Sequence, residues 1–339
     1  MKLIKTEDAV GHVLCHDMTQ IIKDQYKDAR FRKGHVVTRE DIPVLLSMGK
    51  EHLYVWEMVP GMLHEDEGAA RLAALCRGEH MTLSAPKEGK IEVSAACDGL
   101  FLVDSQRLTA VNCVEDVMIA TRHGGTAVHK GDKLAGTRVI PLVVPEETLQ
   151  KAERAAGSRP LLALRPWKRK TAAVITTGSE VAKGLIEDTF TPVVVEKLGA
   201  YGVEIAWRGM PGDDMEGICR DILAARSAGV DMIVCTGGMS VDPDDRTPGA
   251  IRASGADIVS YGAPILPGAM FLLGYFGDGV PVMGLPGCVM YAGATIFDLV
   301  LPRVVADVPV TKAHLASMGE GGLCLGCKPC RYPVCPFGK

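Results

Sequence analysis

Three short segments of the chain combine glycine with hydroxyl or carboxylate side chains, and each follows a short apolar run. They are residues 176–180 (TTGSE), residues 236–248 (TGGMSVDPDDRTP) and residues 285–288 (LPGC). Glycine lets a backbone approach an anion closely, hydroxyl groups donate hydrogen bonds to it, and the first turn of a following helix offers free N–H groups. Together the three segments predict a site for a phosphate or another oxyanion.

The second segment also carries carboxylates, among them Asp242 and Asp245. Carboxylate and phosphate oxygens are ligands that Mg²⁺ prefers, so this segment predicts a Mg²⁺ ion that bridges to phosphate. A single glycine pair after a strand is usually an ordinary turn, and the prediction therefore depends on all three segments. The chain contains neither a Walker-type Gly-Lys-Ser/Thr nor a G-x-G-x-x-G pattern, so the common nucleotide-binding folds are not indicated.

Four of the eleven cysteines lie close together near the end of the sequence: Cys324, Cys327, Cys330 and Cys335. Their C-x₂-C-x₂-C-x₄-C-P spacing is similar to the bacterial ferredoxin run, with a longer last gap. Glycine and proline between them favour tight turns, which would let four thiolates converge on one metal. The spacing predicts a metal-binding tail that holds Zn²⁺ or an iron–sulfur cluster, and it does not separate the two.

The elements that must position the three glycine segments follow from the hydrophobic pattern. From residue 171 to residue 304, short buried-strand patterns alternate with amphipathic helical patterns. Such alternation predicts a mostly parallel sheet with helices on both faces. Ligands of these sheets bind at the carboxyl ends of the strands, so we expect the three segments to meet at one edge.

The first 165 residues follow a different pattern, which predicts an α+β, β-rich domain. Helical patterns at residues 39–48, 65–77 and 146–156 flank a stretch from 81 to 144 with strand-like runs, one of them at residues 108–114. We therefore expect three parts: an N-terminal domain (1–165), an α/β domain (166–312) and a cysteine-rich tail (313–339).

Composition excludes several functional classes. The net charge is −4 and aromatic residues make up 5% of the chain, so neither electrostatics nor stacking favours nucleic-acid binding. No apolar stretch has the length and uniformity of a membrane span, and Glu7 and Asp8 lie where a signal peptide would be apolar. These features predict a cytoplasmic protein with no membrane partner.

Residues 171–304 also resemble a known family, the molybdopterin-binding domain of molybdenum cofactor biosynthesis proteins. The family pattern has TTG-acid-E, an Asp-Asp pair that opens a helix, TGG-x-S-x₄-D, and LPG. In this chain these become residues 176–180, Asp213-Asp214, residues 236–245 and residues 285–287. Among its members the chain looks most similar to the molybdopterin molybdenumtransferases, although it is divergent.

The resemblance implies a three-layer α/β/α domain, a homo-oligomer (dimer or trimer), and molybdopterin or its adenylate as ligand, with molybdate and Mg²⁺ in the transferase reaction. It implies that acidic residues bind metal or position water: Glu180, Asp213, Asp214 and Asp245. It also implies that loop residues cradle the pterin side chain and phosphate: Thr177, Gly178, Ser179, Gly237, Gly238, Ser240, Pro286 and Gly287.

Departures from the family pattern keep two alternatives open. Cys288 follows LPG where the family has Asn-Pro, Asp242 replaces a glycine, and residues 266–270 lack the family's basic residue. Because the missing groups would help to hold molybdate, the chain could instead be a molybdopterin adenylyltransferase. It could also be a non-catalytic binder or carrier of the cofactor with a metal or redox tail.

Overall fold

The structure of the chain is a computed structural model that describes residues 2–22, 26–55, 60–240, 242 and 245–339, without the side chains of Tyr26 and Glu180. It divides into two units. Unit 1 comprises Met1–Ala96, Val103–Arg122 and Lys130–Ala163, and unit 2 comprises Cys97–Leu102, His123–His129 and Leu164–Lys339. The three domain boundaries expected from the sequence remain a prediction.

Short strands dominate the chain before residue 167, as predicted for an α+β, β-rich region. The strands are β1 (Lys2–Lys5), β2 (Met18–Ile22), β3 (Tyr26–Phe31), β4 (His52–Val55), β5 (Met62–His64), β6 (Met81–Leu83), β7 (Lys90–Ala95), β8 (Gly99–Val103), β9 (Val117–Thr121), β10 (Thr126–Val128), β11 (Lys133–Val139), β12 (Val143–Pro145) and β13 (Leu162–Pro166). The helices are α1 (Asp41–Ser47), α2 (Glu65–Cys76), α3 (Ser105–Asn112) and α4 (Glu146–Ala156).

These strands form small sheets, of which the largest in the described part of unit 1 has the order β6-β7-β11-β9. Helix α2 covers this sheet and approaches it so closely that a Cβ atom on Gly68 would lie 2.8 Å from Cγ1 of Val139. The prediction of a strand at residues 108–114 is wrong, because most of that run belongs to α3. The Asp104 carboxylate accepts a hydrogen bond from the N–H of Arg107 (3.1 Å) and thereby caps this helix.

Unit 2 contains the alternating strands and helices that the sequence predicts, and two further strands, at residues 257–261 and 272–275, that the sequence does not predict. Its strands are β14 (Thr171–Thr176), β15 (Glu204–Gly209), β16 (Met232–Thr236), β17 (Asp257–Tyr261), β18 (Leu272–Tyr275) and β19 (Pro281–Leu285). Its helices are α5 (Ser179–Ala182), α6 (Phe190–Gly199), α7 (Met215–Ser227), α8 (Thr247–Ala253), α9 (Ile296–Val305) and α10 (Lys312–Ser317). The sheet order is β15-β14-β16-β19-β18-β17. The strands β15, β14, β16 and β19 pair in parallel, and β18 pairs antiparallel with both β19 and β17, which confirms a mostly parallel sheet.

Two apolar cores lie on the two faces of this sheet and give the three-layer α/β/α arrangement. Strand β16 shows why: Val234 packs in the core that α6 and α9 complete, and Cys235 packs in the core that α7 and α8 complete. All five residues of β16 and of β19 are buried, as expected for central strands covered on both sides.

Helix α9 begins later than the pattern predicted. The hydrophobic pattern of residues 290–304 predicts a helix over that range, but a 3-10 turn at Gly287–Met290 precedes α9, which starts at Ile296. The reason is a capping box: Thr295 Oγ1 accepts from the N–H of Phe297, and the carboxylate of Asp298 accepts from the N–H of Thr295 (2.7 Å). In the described part of the chain, no helix combines the length and apolar character needed to cross a membrane.

Candidate functional site

Strand register brings the three glycine segments to one edge of the six-stranded sheet. Thr176 ends β14, Thr236 ends β16 and Leu285 ends β19, and the three residues are partners across neighbouring parallel strands. The segments that follow these strands therefore leave the sheet side by side. This is the strand edge at which ligands of open α/β sheets bind.

The first two segments are joined by hydrogen bonds from Thr177. Its backbone N–H and its Oγ1 both donate to the carbonyl oxygen of Thr236, at 2.9 and 2.8 Å. Gly237, with φ +83°, lies so close that a Cβ atom there would be 2.9 Å from Thr177 Oγ1. The threonine and the glycine thus form one packed unit, which requires glycine at position 237.

The first residue of helix α8 packs against the two glycines of the second segment. Thr247, its first residue, donates from Oγ1 to the carbonyl oxygen of Gly237 (3.0 Å). A Cβ atom on Gly238 would lie 2.7 Å from Thr247 Oγ1, and the φ of Gly238 is +56°. The two glycines are therefore packed between Thr177 and Thr247 at the strand edge.

One hydroxyl group at this edge has no partner. Thr236 is 1% exposed, and its Oγ1 is buried without a hydrogen bond within the part of the chain that the structure describes. Its neighbour Thr176 is also buried, but Thr176 Oγ1 lies 2.7 Å from Thr191 Oγ1 and is satisfied. An unpaired buried hydroxyl costs stability unless something binds to it. Thr236 Oγ1 is thus a hydrogen-bonding group that a ligand could use.

Two of the predicted acidic residues bind backbone N–H groups of the segments themselves. The carboxylate of Asp213 accepts from the N–H of Ser179 (2.6 Å), and that of Asp245 accepts from the N–H of Ser240 (2.8 Å). An incoming phosphate would seek the same donors. Both carboxylates are therefore placed at the positions where an anion would bind.

Asp214 has a different place from its neighbour. It is the N-cap residue of α7, and its carboxylate accepts from the N–H of Gly217 (2.8 Å). This contact is the usual one for an N-cap residue, and the metal or water-positioning role predicted for Asp214 stays a prediction. The side chain of Glu180, also predicted as a metal or water-positioning residue, lies outside the described residues.

The third segment turns sharply after β19. Pro286 is extended, with φ −68° and ψ 148°, and Gly287 begins a 3-10 turn. A Cβ atom on Gly287 would meet no atom within 4 Å, so this glycine borders open space, unlike Gly237. Burial raises the pKa of the Cys288 thiol, which keeps the thiol protonated at neutral pH.

The four tail cysteines do not form a metal site in the structure. Among the described residues, which include all four, no group of three or more His, Cys, Asp or Glu side chains is arranged to hold a metal ion. Cys324 and Cys335 are half-buried against the α6–α9 core, whereas Cys327 and Cys330 are exposed. The predicted Zn²⁺ or iron–sulfur ligation therefore receives no support from the geometry, and neither does a preformed Mg²⁺ site.

The tail is nevertheless held against the α/β unit. The N–H of Cys324 donates to the carbonyl oxygen of Leu266 (2.8 Å), Tyr332 Oη donates to the carbonyl oxygen of Asp298 (3.0 Å), and Phe337 is 3% exposed in the core. A Cβ atom on Gly293 would lie 2.9 Å from the sulfur of Cys330. Tail residues thus contact the segment between the third glycine loop and α9.

Sequence reasoning missed two residues that shape the site. Thr247 packs against both glycines of the second segment, and Tyr261 Oη donates to the carbonyl oxygen of Met239 (2.9 Å). The Thr-Pro pair at the start of α8 is a helix-start signal that points to Thr247. Nothing near Tyr261 in the sequence indicates its contact, because β17 was not predicted.

Comparison with known protein families finds a match for the α/β region. Residues 173–306 match a family model described as "Probable molybdopterin binding domain", which covers less than half of the chain. Residues 3–57 match a second model, described as "Domain of unknown function (DUF8806)". The first match supports the resemblance seen in the sequence at the level of the domain, without singling out the molybdenumtransferases.

Similar curated proteins share only a short region with the chain. A "Probable FAD synthase" of Caenorhabditis briggsae is 35% identical over 82 residues, which is 24% of this chain and 16% of that protein. A "CinA-like protein" of Mycobacterium avium (strain 104) is 33% identical over 89 residues, 26% of this chain and 20% of that protein. The aligned part is thus about a fifth or less of these relatives.

Two solved structures illustrate the structural likeness. The tungsten cofactor synthesizing protein MoaB from Pyrococcus furiosus has a TM-score of 0.34 and 23% identity, over 40% of this chain and 93% of that chain. The protein CinA from Thermoplasma acidophilum has a TM-score of 0.35 and 19% identity, over 40% of this chain and 99% of that chain.

Proposed function

We propose that the three strand-end loops bind molybdopterin or its adenylate, and that the protein is a divergent molybdopterin molybdenumtransferase. The observation that carries the proposal is the buried hydroxyl of Thr236, which makes no hydrogen bond with the described residues and lies next to the packed Gly237–Gly238 pair, within the region that matches the molybdopterin-binding family. A phosphorylated pterin carries hydrogen-bond acceptors that would pair with this hydroxyl.

In this proposal the loops hold the ligand from three sides. The backbone and hydroxyl groups of the first two loops cradle the phosphate and the pterin side chain, and the third loop borders the open side. The cradle consists of Thr177, Gly178, Ser179, Gly237, Gly238, Ser240, Pro286 and Gly287. The glycines permit close backbone approach, and the rigid packing around Thr177 and Thr247 lowers the entropy lost on binding.

The acidic residues suit a Mg²⁺ ion that arrives with the substrate. Mg²⁺ is commonly held by one or two carboxylates together with substrate phosphates and water, so no all-protein cage is needed. The carboxylates of Asp213 and Asp245 each accept a hydrogen bond from a backbone N–H group of the loops. A cation near these carboxylates would draw them away and free the N–H groups of Ser179 and Ser240 for phosphate. Magnesium would also neutralise charge that develops during phosphate chemistry.

Turnover assays test the reaction. Purified full-length protein is incubated anaerobically with molybdopterin adenylate, Mg²⁺ and molybdate, and AMP release is measured. We expect turnover in the wild type and none in Asp245→Asn, with an unchanged circular dichroism spectrum. Binding of the adenylate without turnover by the wild type would overturn the transferase assignment.

Two alternatives are distinguished by the same assay. Consumption of ATP with free molybdopterin would identify an adenylyltransferase. Tight binding of molybdopterin without either reaction would identify a carrier, an outcome that Cys288 and the absence of a basic residue in 266–270 favour. These features remove groups that would otherwise help to hold molybdate.

A metal in the cysteine tail is a separate hypothesis, because it requires the exposed Cys327 and Cys330 to move toward the half-buried Cys324 and Cys335. Metal analysis and an absorption spectrum of anaerobically purified protein test it. Iron with sulfide, or stoichiometric zinc, that is lost in Cys327→Ser/Cys330→Ser but kept in Cys113→Ser would establish the site. Metal-free wild-type protein would exclude it.

We also propose a cytoplasmic homo-oligomer, on the basis of the family resemblance. Light scattering coupled to gel filtration tests the assembly, with a dimer or trimer as the expected result. A monomer at micromolar concentration would contradict it.

A further inference from the structure

A second cleft lies at the opposite end of strand β14 from the glycine loops. It encloses about 540 Å³ and lies entirely within unit 2. Six of the residues that line it are Leu102, Arg165, Trp167, Lys168, Asp307 and Pro309. The volume is within the range of roughly 300–1,000 Å³ found for small-molecule sites. Thr171 begins β14 on this side and Thr176 ends it, so the two sites are about 17 Å apart along the strand.

Positive charge is in excess in this cleft. The Asp307 carboxylate is shared by Lys168, which binds one oxygen, and Arg169, whose Nη2 donates to the other at 2.7 Å. Arg169 is also fixed by backbone carbonyls, among them that of Asp231 (2.6 Å). Arg165 is exposed, and its side chain makes no hydrogen bond or ion pair with any residue that the structure describes. Among the side chains that line the cleft, two are cationic, Arg165 and Lys168, and one is a carboxylate, Asp307, so the guanidinium of Arg165 is free for an anion.

The cleft also contains an aromatic side chain. Trp167 is half-buried and meets Tyr201 edge-on, with ring centroids 5.0 Å apart and planes at 82°. Its indole is thereby held in a fixed position on the cleft wall.

We propose that this cleft binds a phosphorylated aromatic ligand of the mononucleotide class. The base stacks on Trp167, and the phosphate is bound by Arg165 with Lys168 at the rim. Base stacking on an indole and bidentate guanidinium–phosphate contacts are both favourable interactions of ordinary strength. The proposal does not depend on the function of the glycine loops, since the two sites share no residue.

Calorimetric titration of the full-length protein with AMP tests this site, with adenosine and inorganic phosphate as separate probes. We expect one AMP site per chain and much weaker binding of either component alone. Arg165→Ala should weaken AMP binding at least about tenfold and leave adenosine binding unchanged, because it removes only the phosphate contact. Trp167→Phe should weaken AMP and adenosine alike. Arg220→Ala, which removes an exposed arginine from α7, is the matched control and should bind AMP like the wild type.

Two results would overturn the proposal. One is the absence of saturable binding for AMP, GMP, CMP and UMP. The other is unchanged AMP affinity in Arg165→Ala, which would place any bound nucleotide elsewhere, including at the glycine loops. Arg165 is exposed, so its replacement should leave the thermal unfolding midpoint unaltered and loss of binding cannot be ascribed to unfolding.

Discussion

At the scale of single residues, two threonines at adjacent strand ends behave differently. Thr176 and Thr236 are both buried and are partners across β14 and β16, yet among the described residues only the hydroxyl of Thr176 has a hydrogen-bond partner. A polar group that is buried and unpaired destabilises the fold by itself. A ligand at the glycine-rich strand end, as proposed above, would give this hydroxyl a partner.

Replacing Thr236 separates stability from binding. Thr236→Val removes the unpaired hydroxyl, so we expect the free energy of unfolding to stay equal or to rise by up to about 1 kcal/mol. Molybdopterin affinity should fall about tenfold, which corresponds to about 1.4 kcal/mol. Denaturant unfolding and ligand titration measure the two effects.

Thr176→Val is the matched control. It breaks the contact with Thr191 and should cost about 1 kcal/mol of stability while affinity changes little. If Thr236→Val instead destabilised the protein as much as Thr176→Val, the hydroxyl of Thr236 would have an internal partner and the argument for a ligand would be lost.

Titration of His314 gives a further prediction at this scale. Burial, aided by the positive charge of Arg303, lowers the pKa of His314 to about 4, and its Nδ1 is buried without a partner among the described residues. Because the pKa of His314 is lower in the folded protein than in the unfolded chain, the stability that neutral His314 provides is fully present above about pH 6.5, the ordinary pKa of histidine. It is lost as the pH falls from 6.5 toward 4.

The unfolding midpoint should therefore decrease between pH 6.5 and 4, and His314→Leu should reduce that decrease. Burial also lowers the pKa values of His16 and His64, so part of the decrease will remain in the variant. His123→Leu, at an exposed position, is the control and should follow the wild-type pH profile. Identical profiles for all three proteins would show that His314 titrates normally.

At the scale of elements, the sequence predicted the sheet better than the ends of its helices. Buried runs such as β14 and β19 are found at the predicted residues, because central strands are apolar on both faces. The predictions for the start of α9 and for residues 108–114 in α3 were wrong. Each of these helices begins at a capping side chain, Thr295 for α9 and Asp104 for α3, which the hydrophobic period does not reveal. Likewise, the sequence located the glycine loops but could not show that Asp213 and Asp245 bind their N–H groups.

The N-cap of helix α7 can be tested by mutation. Asp214 caps the helix, so Asp214→Ala should cost about 1 kcal/mol of stability, whereas Asp214→Asn, which can still accept the hydrogen bond, should be close to wild type. Both variants should bind molybdopterin normally if capping is the only role of this residue. Asp213→Asn serves as the comparison and should impair turnover, because its carboxylate lies at the N–H of Ser179. Loss of turnover in Asp214→Asn at unchanged stability would restore Asp214 to the site.

At the scale of the whole molecule, the cysteine-rich tail belongs to the architecture of the α/β unit. Its spacing suggested a separate metal-binding module, but Phe337 is buried in the α6–α9 core, and Tyr332 binds the backbone of α9. Cysteine spacing could not reveal this, because the contacts that hold the tail are made by the aromatic residues between and after the cysteines. The tail therefore stabilises the helix that follows the third glycine loop.

Truncating Phe337 tests that role. Phe337→Ala removes a side chain that is 3% exposed and should lower the free energy of unfolding of the α/β unit by roughly 3–5 kcal/mol. Val334→Ala changes a side chain that is 85% exposed and should stay within about 0.5 kcal/mol of wild type. Denaturant unfolding of the full chain distinguishes the two. Equal stability of both variants would mean that the tail is not packed on the core.

The most direct test of the central claim is an anaerobic calorimetric titration with molybdopterin, carried out on the full-length wild type and on Thr236→Val. The account predicts one saturable site per chain in the wild type and about tenfold weaker binding in a variant that is equally stable. Absence of binding in the wild type, or equal affinity in both proteins, would contradict a molybdopterin site at the strand-end loops.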